Sequence, residues 1–96
     1  IVLIKLTEEH TTASARAVIA EESRRRLGDV LGPIGVTVAT PADDKASDSW
    51  DLAITVRIEV LDDVPGYLAD PLHRAYVDEY LLPKVACLKA WNFERP

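Results

Sequence analysis

From Trp50 to Glu59 the chain alternates without interruption. Trp50, Leu52, Ile54, Val56 and Ile58 fall on one side, and Asp51, Ala53, Thr55, Arg57 and Glu59 on the other. A period of two is the signature of a β-strand, because successive side chains point to opposite faces. One face of this strand is core; the other, where Asp51, Thr55 and Arg57 fall together, is small, polar and charged. A strand must pair its backbone groups with neighbours, so the rest of the chain has to supply a sheet.

Three further segments qualify. Ile1 to Leu6 is apolar, β-branched and too short for a helix, with Lys5 as its one charge. Ile34 to Thr40 and Val85 to Glu94 have the same character. Between them lie two helical stretches. Ala13 to Leu31 carries Ala13, Ile19, Ala20, Ser23, Leu27, Val30 and Leu31 in one stripe at helical spacing, with Thr11 or Thr12 as N-cap and Gly32-Pro33 as terminator. Its Glu21 and Glu22 stand four residues before Arg25 and Arg26, the favourable orientation for ion pairs, so the Arg24–Arg26 cluster reads as a solvated face. Asp62 or Asp63 with Pro65, then Asp70 with Pro71, open two helical pieces that run to about Leu82, where Pro83 forces an exit. Pro41 to Ser49 reads as a mobile polar loop.

The order is β-α-β-β-α-β over residues 1–96, one α+β domain. It is that of the ferredoxin-like sandwich: a four-stranded antiparallel sheet, first and third strands central, both helices on one face. The other face is bare. It carries Leu3, Lys5, Thr55 and Arg57, with Trp91 and Phe93 at its end, so a second copy is the expected partner. Arg57 is expected to be paired in that interface, since an unpaired buried charge is costly.

A formal net charge of −5 argues against nucleic acid as a partner. No apolar run approaches membrane-spanning length, and no segment reads as a signal peptide, so none is expected. With one cysteine there is no intrachain disulfide, and the expected compartment is the cytoplasm. The chain opens in an apolar run without methionine, so the native polypeptide is expected to begin earlier.

The sequence resembles the Dabb family, the stress-responsive dimeric α/β-barrel proteins. The matching residues are the opening strand Ile1–Leu6, the run Trp50-Asp51-Leu52-Ala53-Ile54, the stretch from Tyr67 through Asp70-Pro71 to His73 with Tyr76-Val77 after it, and the close from Leu88 to Trp91, Phe93 and Glu94. The resemblance implies a homodimer whose two sheets pair into a dimeric α/β barrel, and a cavity between sheet and helices in each subunit. The family includes stress-induced plant proteins and polyketide cyclases.

His73 is the most informative polar residue. It stands three, four and seven residues before Tyr76, Val77 and Tyr80, facing inward on one stripe, and these three are the expected lining of a cavity for a small apolar ligand. Tyr67 faces the same space. A histidine titrates near neutrality, so a His–Tyr pair suits general acid–base chemistry. The cyclase relatives use such a pair, and Tyr67 and His73 stand at the matching positions; their further histidine falls before Ile1. Two roles are open for His73: proton transfer on an aromatic or polyketide-like molecule, or a hydrogen bond to Tyr67 or a backbone carbonyl that locks the helices to the sheet. His10, beside Glu8 and Glu9, lacks metal-site spacing. Cys87 reads as buried apolar filler, and Trp50 and Trp91 as core or interface anchors. No metal or cofactor motif is present.

Overall fold

The computed structural model describes residues 1–96. Four strands, β1 (Val2–Leu6), β2 (Gly35–Ala39), β3 (Leu52–Arg57) and β4 (Val85–Ala90), form one antiparallel sheet in the order β2-β3-β1-β4. The central places of β1 and β3 follow from their composition: only these strands bury two large aliphatics each, Ile4 and Leu6 on β1, Leu52 and Ile54 on β3. Register puts those four on one face, with Ile4 opposite Leu52 and Val2 opposite Ile54.

That face is covered by α1 (Ala13–Gly28), which lays down Ile19, Ser23 and Leu27. The expected stripe holds from Ile19 to Val30 and fails at Ala13 and Leu31. Leu31 is 84% exposed, because the helix stops at Gly28 and the chain turns through Gly32, whose φ of 115° is accessible to glycine at little cost. Thr12 caps the helix, its Oγ1 accepting from the Ala15 N–H. The surface ion pairs are Arg24–Glu21 and Arg25–Glu22, three apart rather than the expected four. Arg26 instead lies over the Tyr76 and Tyr80 rings, 5.8 and 5.4 Å from their centroids.

The segment expected to be a polar loop contains a helix, α2 (Asp44–Ser49). Asp43 starts it by accepting from the Ala46 N–H, and the Trp50 N–H closes it on the Ala46 carbonyl. After β3 a 3₁₀ turn leads into α3 (Val64–Ala69). Asp70 then breaks the helical run, and its carboxylate accepts from the Leu72 N–H to start α4 (Pro71–Ala75). From Tyr76 to Leu81 the winding widens to a π-helix, and Leu82–Lys84 tightens to 3₁₀. The wider turn lets both Tyr76 and Leu81 reach the core.

The molecule measures 36 × 32 × 19 Å, its thin dimension fitting one helical layer on one sheet. The barrel expected from the resemblance is not what this chain forms. The sheet is open, neither closed nor curled on itself, with β2 and β4 as its edges. Four strands are too few to wrap around side chains; filled barrels need about eight.

Candidate functional site

Two buried polar constellations stand out, and their hydrogen bonding separates them. The first centres on Asp51. Strand alternation assigns this residue to the bare face, yet it is fully buried, because the ladder ends at Leu52 and the side chain turns back toward α1. Its Oδ2 accepts from the Leu6 N–H at 2.7 Å, and its Oδ1 accepts from Arg16 Nε at 2.9 Å and also from the second guanidinium nitrogen. The Asp51 N–H itself donates to the Ile4 carbonyl at 2.8 Å. The pair pins the start of α1 to the junction of β1 and β3. Nearby in the core, the Tyr76 hydroxyl donates to Ser23 Oγ at 2.6 Å, and burial raises the Tyr76 phenol to about 12. These groups have found partners within the chain.

The second constellation is Tyr67 with His73. Both are 8% exposed, and their rings lie 4.6 Å apart, tilted by 52°. The break at Asp70 brings them together: Tyr67 ends one helical piece, His73 opens the next, and the kink folds the two rings onto each other. His73 Nδ1–H donates to the Leu68 carbonyl at 3.1 Å. A carbonyl can only accept, so this bond fixes the tautomer and leaves Nε2 as a lone pair. Of the two structural partners open to His73, the backbone carbonyl is the one it takes.

The electrostatics agree. Burial holds the His73 imidazolium below the usual histidine range, outweighing the Leu68 hydrogen bond that favours it, so the ring is neutral at pH 7. Burial, with the neighbouring Tyr76, pushes the Tyr67 phenol up to about 12, so it stays a donor. Neither the Tyr67 hydroxyl nor His73 Nε2 has a hydrogen-bond partner within the chain, and neither is sealed from solvent; the sealed, unpartnered side-chain oxygen is Thr7 Oγ1. The pair thus offers one donor and one acceptor on rings that touch, with Arg74, Asp70 and Asp78 nearby.

The residues expected to line a cavity divide. Tyr76 is 1% exposed and belongs to the core, and Val77 packs against that core. Tyr80 lines a cleft of about 340 Å³ between α1 and the π-helix, together with Val18, His10 and Lys84. A second cleft of about 220 Å³ lies between the end of α1 and β2, beside Leu27 and Ile34. Neither contains Tyr67 or His73. The participation of His10 and Lys84 was not anticipated.

On the opposite face, register groups Leu3 and Lys5 of β1 with Ala53, Thr55 and Arg57 of β3, and with Cys87 and Lys89 of β4. Thr55 and Arg57 are exposed, Leu3 and Lys5 half-buried, and Arg57 forms no ion pair within the chain. Cys87 is exposed rather than buried, since it sits opposite Lys5 on an edge strand. Trp91 and Phe93, 48% and 75% exposed, follow β4. The regular strand ends at Ala90, but Trp91 still exchanges two backbone hydrogen bonds with Ile1.

The architecture matches solved structures. A Dabb-family protein with a ferredoxin-like fold from Mesorhizobium loti superposes with a TM-score of 0.75 at 16% identity, over 92% of this chain and 85% of that one. The Arabidopsis thaliana protein At3g17210 gives 0.81 at 8% identity, over 99% and 91%. A dimeric protein of unknown function with a ferredoxin-like fold from Bacteroides fragilis gives 0.76 at 18% identity, over 98% and 91%. No family model and no curated protein matches the chain. The ferredoxin-like fold is therefore shared with a Dabb-family structure, as the sequence resemblance implies. No helix is long and apolar enough to cross a membrane.

Proposed function

We propose that this chain is a Dabb-type protein that works as a cytoplasmic homodimer in a stress-linked or accessory role, and that Tyr67 and His73 hold a small, largely apolar molecule through one oxygen. The observation that carries the reading is the pair of open hydrogen-bonding valences. A ligand hydroxyl donates to His73 Nε2 and accepts from the Tyr67 hydroxyl. Such a site rejects an analogue lacking the oxygen, because the buried polar atoms would then go unpaired.

Phenol is a suitable probe. Titrated into the ¹⁵N-labelled protein, it is expected to shift the Tyr67, Leu68 and His73 resonances saturably, and toluene to do so far more weakly. His73→Ala removes the response while the protein stays folded. Equal binding of phenol and toluene contradicts the reading.

A second reading, in which the pair performs chemistry, is favoured by the neutral His73 with its tautomer fixed by Leu68. Nε2 is then a general base and the Tyr67 hydroxyl a donor to the developing enolate, as in the proton transfers of cyclase- or isomerase-type reactions. Deuterium exchange into the methylene of a small aromatic 1,3-diketone tests it: the native protein accelerates exchange and His73→Gln does not.

The homodimer reading rests on the bare face. Leu3, Lys5, Thr55, Arg57, Trp91 and Phe93 form a surface that two open sheets can share, and the Bacteroides fragilis protein of the same fold is described as dimeric. Sedimentation at micromolar concentration is expected to give a dimer, and Leu3→Arg, which adds a charge beside Lys5 and Lys89, a monomer.

A further inference from the structure

The cleft of about 340 Å³ between the first turns of α1 and the π-helix takes no part in the Tyr67–His73 reading. We propose that it is a second binding site, for a small carboxylate whose apolar body is about the size of one ring. Its volume sits near the lower end of the range for ligand pockets, about 300–1,000 Å³, which suits a single ring rather than a larger molecule.

The apolar part of the cleft is Ala15, Val18 and Ile19. Val18 is the informative member. It is 66% exposed, the one large aliphatic left facing outward along α1. Nothing in the chain packs on it, whereas its neighbour Ile19, 3% exposed, is core. The polar end is cationic. Lys84 is held in place by its own hydrogen bond to the Tyr80 carbonyl, 2.8 Å, and lies 3.8 Å over the Tyr80 ring. That uses one of its three ammonium protons and leaves two for a ligand oxygen. Ser14 and His10 are the other polar residues of the lining. The first turn of α1 holds no acidic residue, and the helix start carries its partial positive charge.

Two carboxylates near the lining residues have contacts of their own. Glu9 lies 3.6 Å from His10 Nε2 and is 75% exposed, free to swing into solvent, and Glu22 is paired with Arg25. Lys84 therefore has no carboxylate partner within the chain. A fixed ammonium without a counter-ion, at the mouth of an apolar groove, calls for an anion with an apolar body. A neutral apolar molecule would leave Lys84 unsatisfied, and a bare inorganic anion would leave Val18 in water.

The test uses sodium benzoate on the full chain, with benzyl alcohol as its uncharged counterpart. Benzoate is expected to shift the Ser14, Ala15, Val18 and Tyr80 amides along one saturable curve. Benzyl alcohol, and benzoate on Lys84→Gln, should bind at least about tenfold more weakly, the loss of one charge-assisted contact. If Lys84→Gln does not fold, the benzoate and benzyl alcohol comparison on the native chain decides alone. Equal affinity for the two ligands, unsaturable shifts scattered over the surface, or shifts centred on Tyr67 and His73 would each overturn the proposal; the last would leave the reading of that pair standing.

Discussion

Asp51 and His73 are both buried polar residues, but they are buried in different ways. Each oxygen of Asp51 receives hydrogen bonds from within the chain, and Arg16 neutralises its charge. His73 spends one nitrogen on the Leu68 carbonyl and keeps the other open, with its ring against that of Tyr67. A polar group whose valences are all used internally holds the fold together. One with a spare valence at a reachable place is available for something else. Burial alone does not distinguish these roles; the count of unused donors and acceptors does.

The largest effect expected from this contrast is at Asp51. Asp51→Ala strands the Arg16 guanidinium and the Leu6 N–H, and should cost about 3–5 kcal/mol in urea denaturation. A loss under about 1 kcal/mol would erase the distinction between the two constellations. Next comes Tyr76→Phe, which leaves Ser23 buried without its partner and should cost about 1–3 kcal/mol. Adding Ser23→Ala to that variant should recover part of the loss, since both partners are then gone.

His73→Ala is expected to cost less stability than Asp51→Ala, while abolishing phenol binding. Its pH signature sharpens the point. The folded-state pKa of His73 lies below that of the unfolded chain, so between the two values the unfolded state binds more protons. The stability His73 contributes is thus fully present above the ordinary histidine pKa of about 6.5 and is lost as pH falls toward the folded value. Subtracting the His73→Ala profile from the native one should leave a rise in stability with pH in that window. Smallest of all, Arg24→Ala and Arg25→Ala should leave the denaturation midpoint unchanged, because those ion pairs lie in solvent.

Much of the fold was legible because its signals are periodic. Alternation placed β3, β-branched runs placed the other strands, and Asp70-Pro71 marked the helix start where the Tyr67 and His73 rings meet. The failures have local causes. Alternation was begun at Trp50, two residues before β3 starts, which put Asp51 on the wrong face. A signal for the correct answer was present: Arg16 stands three and four residues before Ile19 and Ala20, on the buried stripe of α1, and a cation there requires a carboxylate. The polar 41–49 segment hid α2 because its cap, Asp43, precedes no apolar stripe. The π-helix has no sequence signature, so the separation of Tyr76 from Tyr80, one to the core and one to a cleft, could not be read. His10 and Lys84 are 74 positions apart in sequence, and the pairing of β1 with β4, which sets the Thr7 N–H on the Lys84 carbonyl, brings them to the same end of the molecule.

The most direct test of the central claim is the ¹⁵N spectrum of the His73 imidazole at neutral pH. The account predicts a neutral ring with the proton on Nδ1 and an unprotonated Nε2, whose resonance moves when phenol is added. A ring protonated on Nε2 instead would mean that its free valence is not the acceptor described, and would contradict the account.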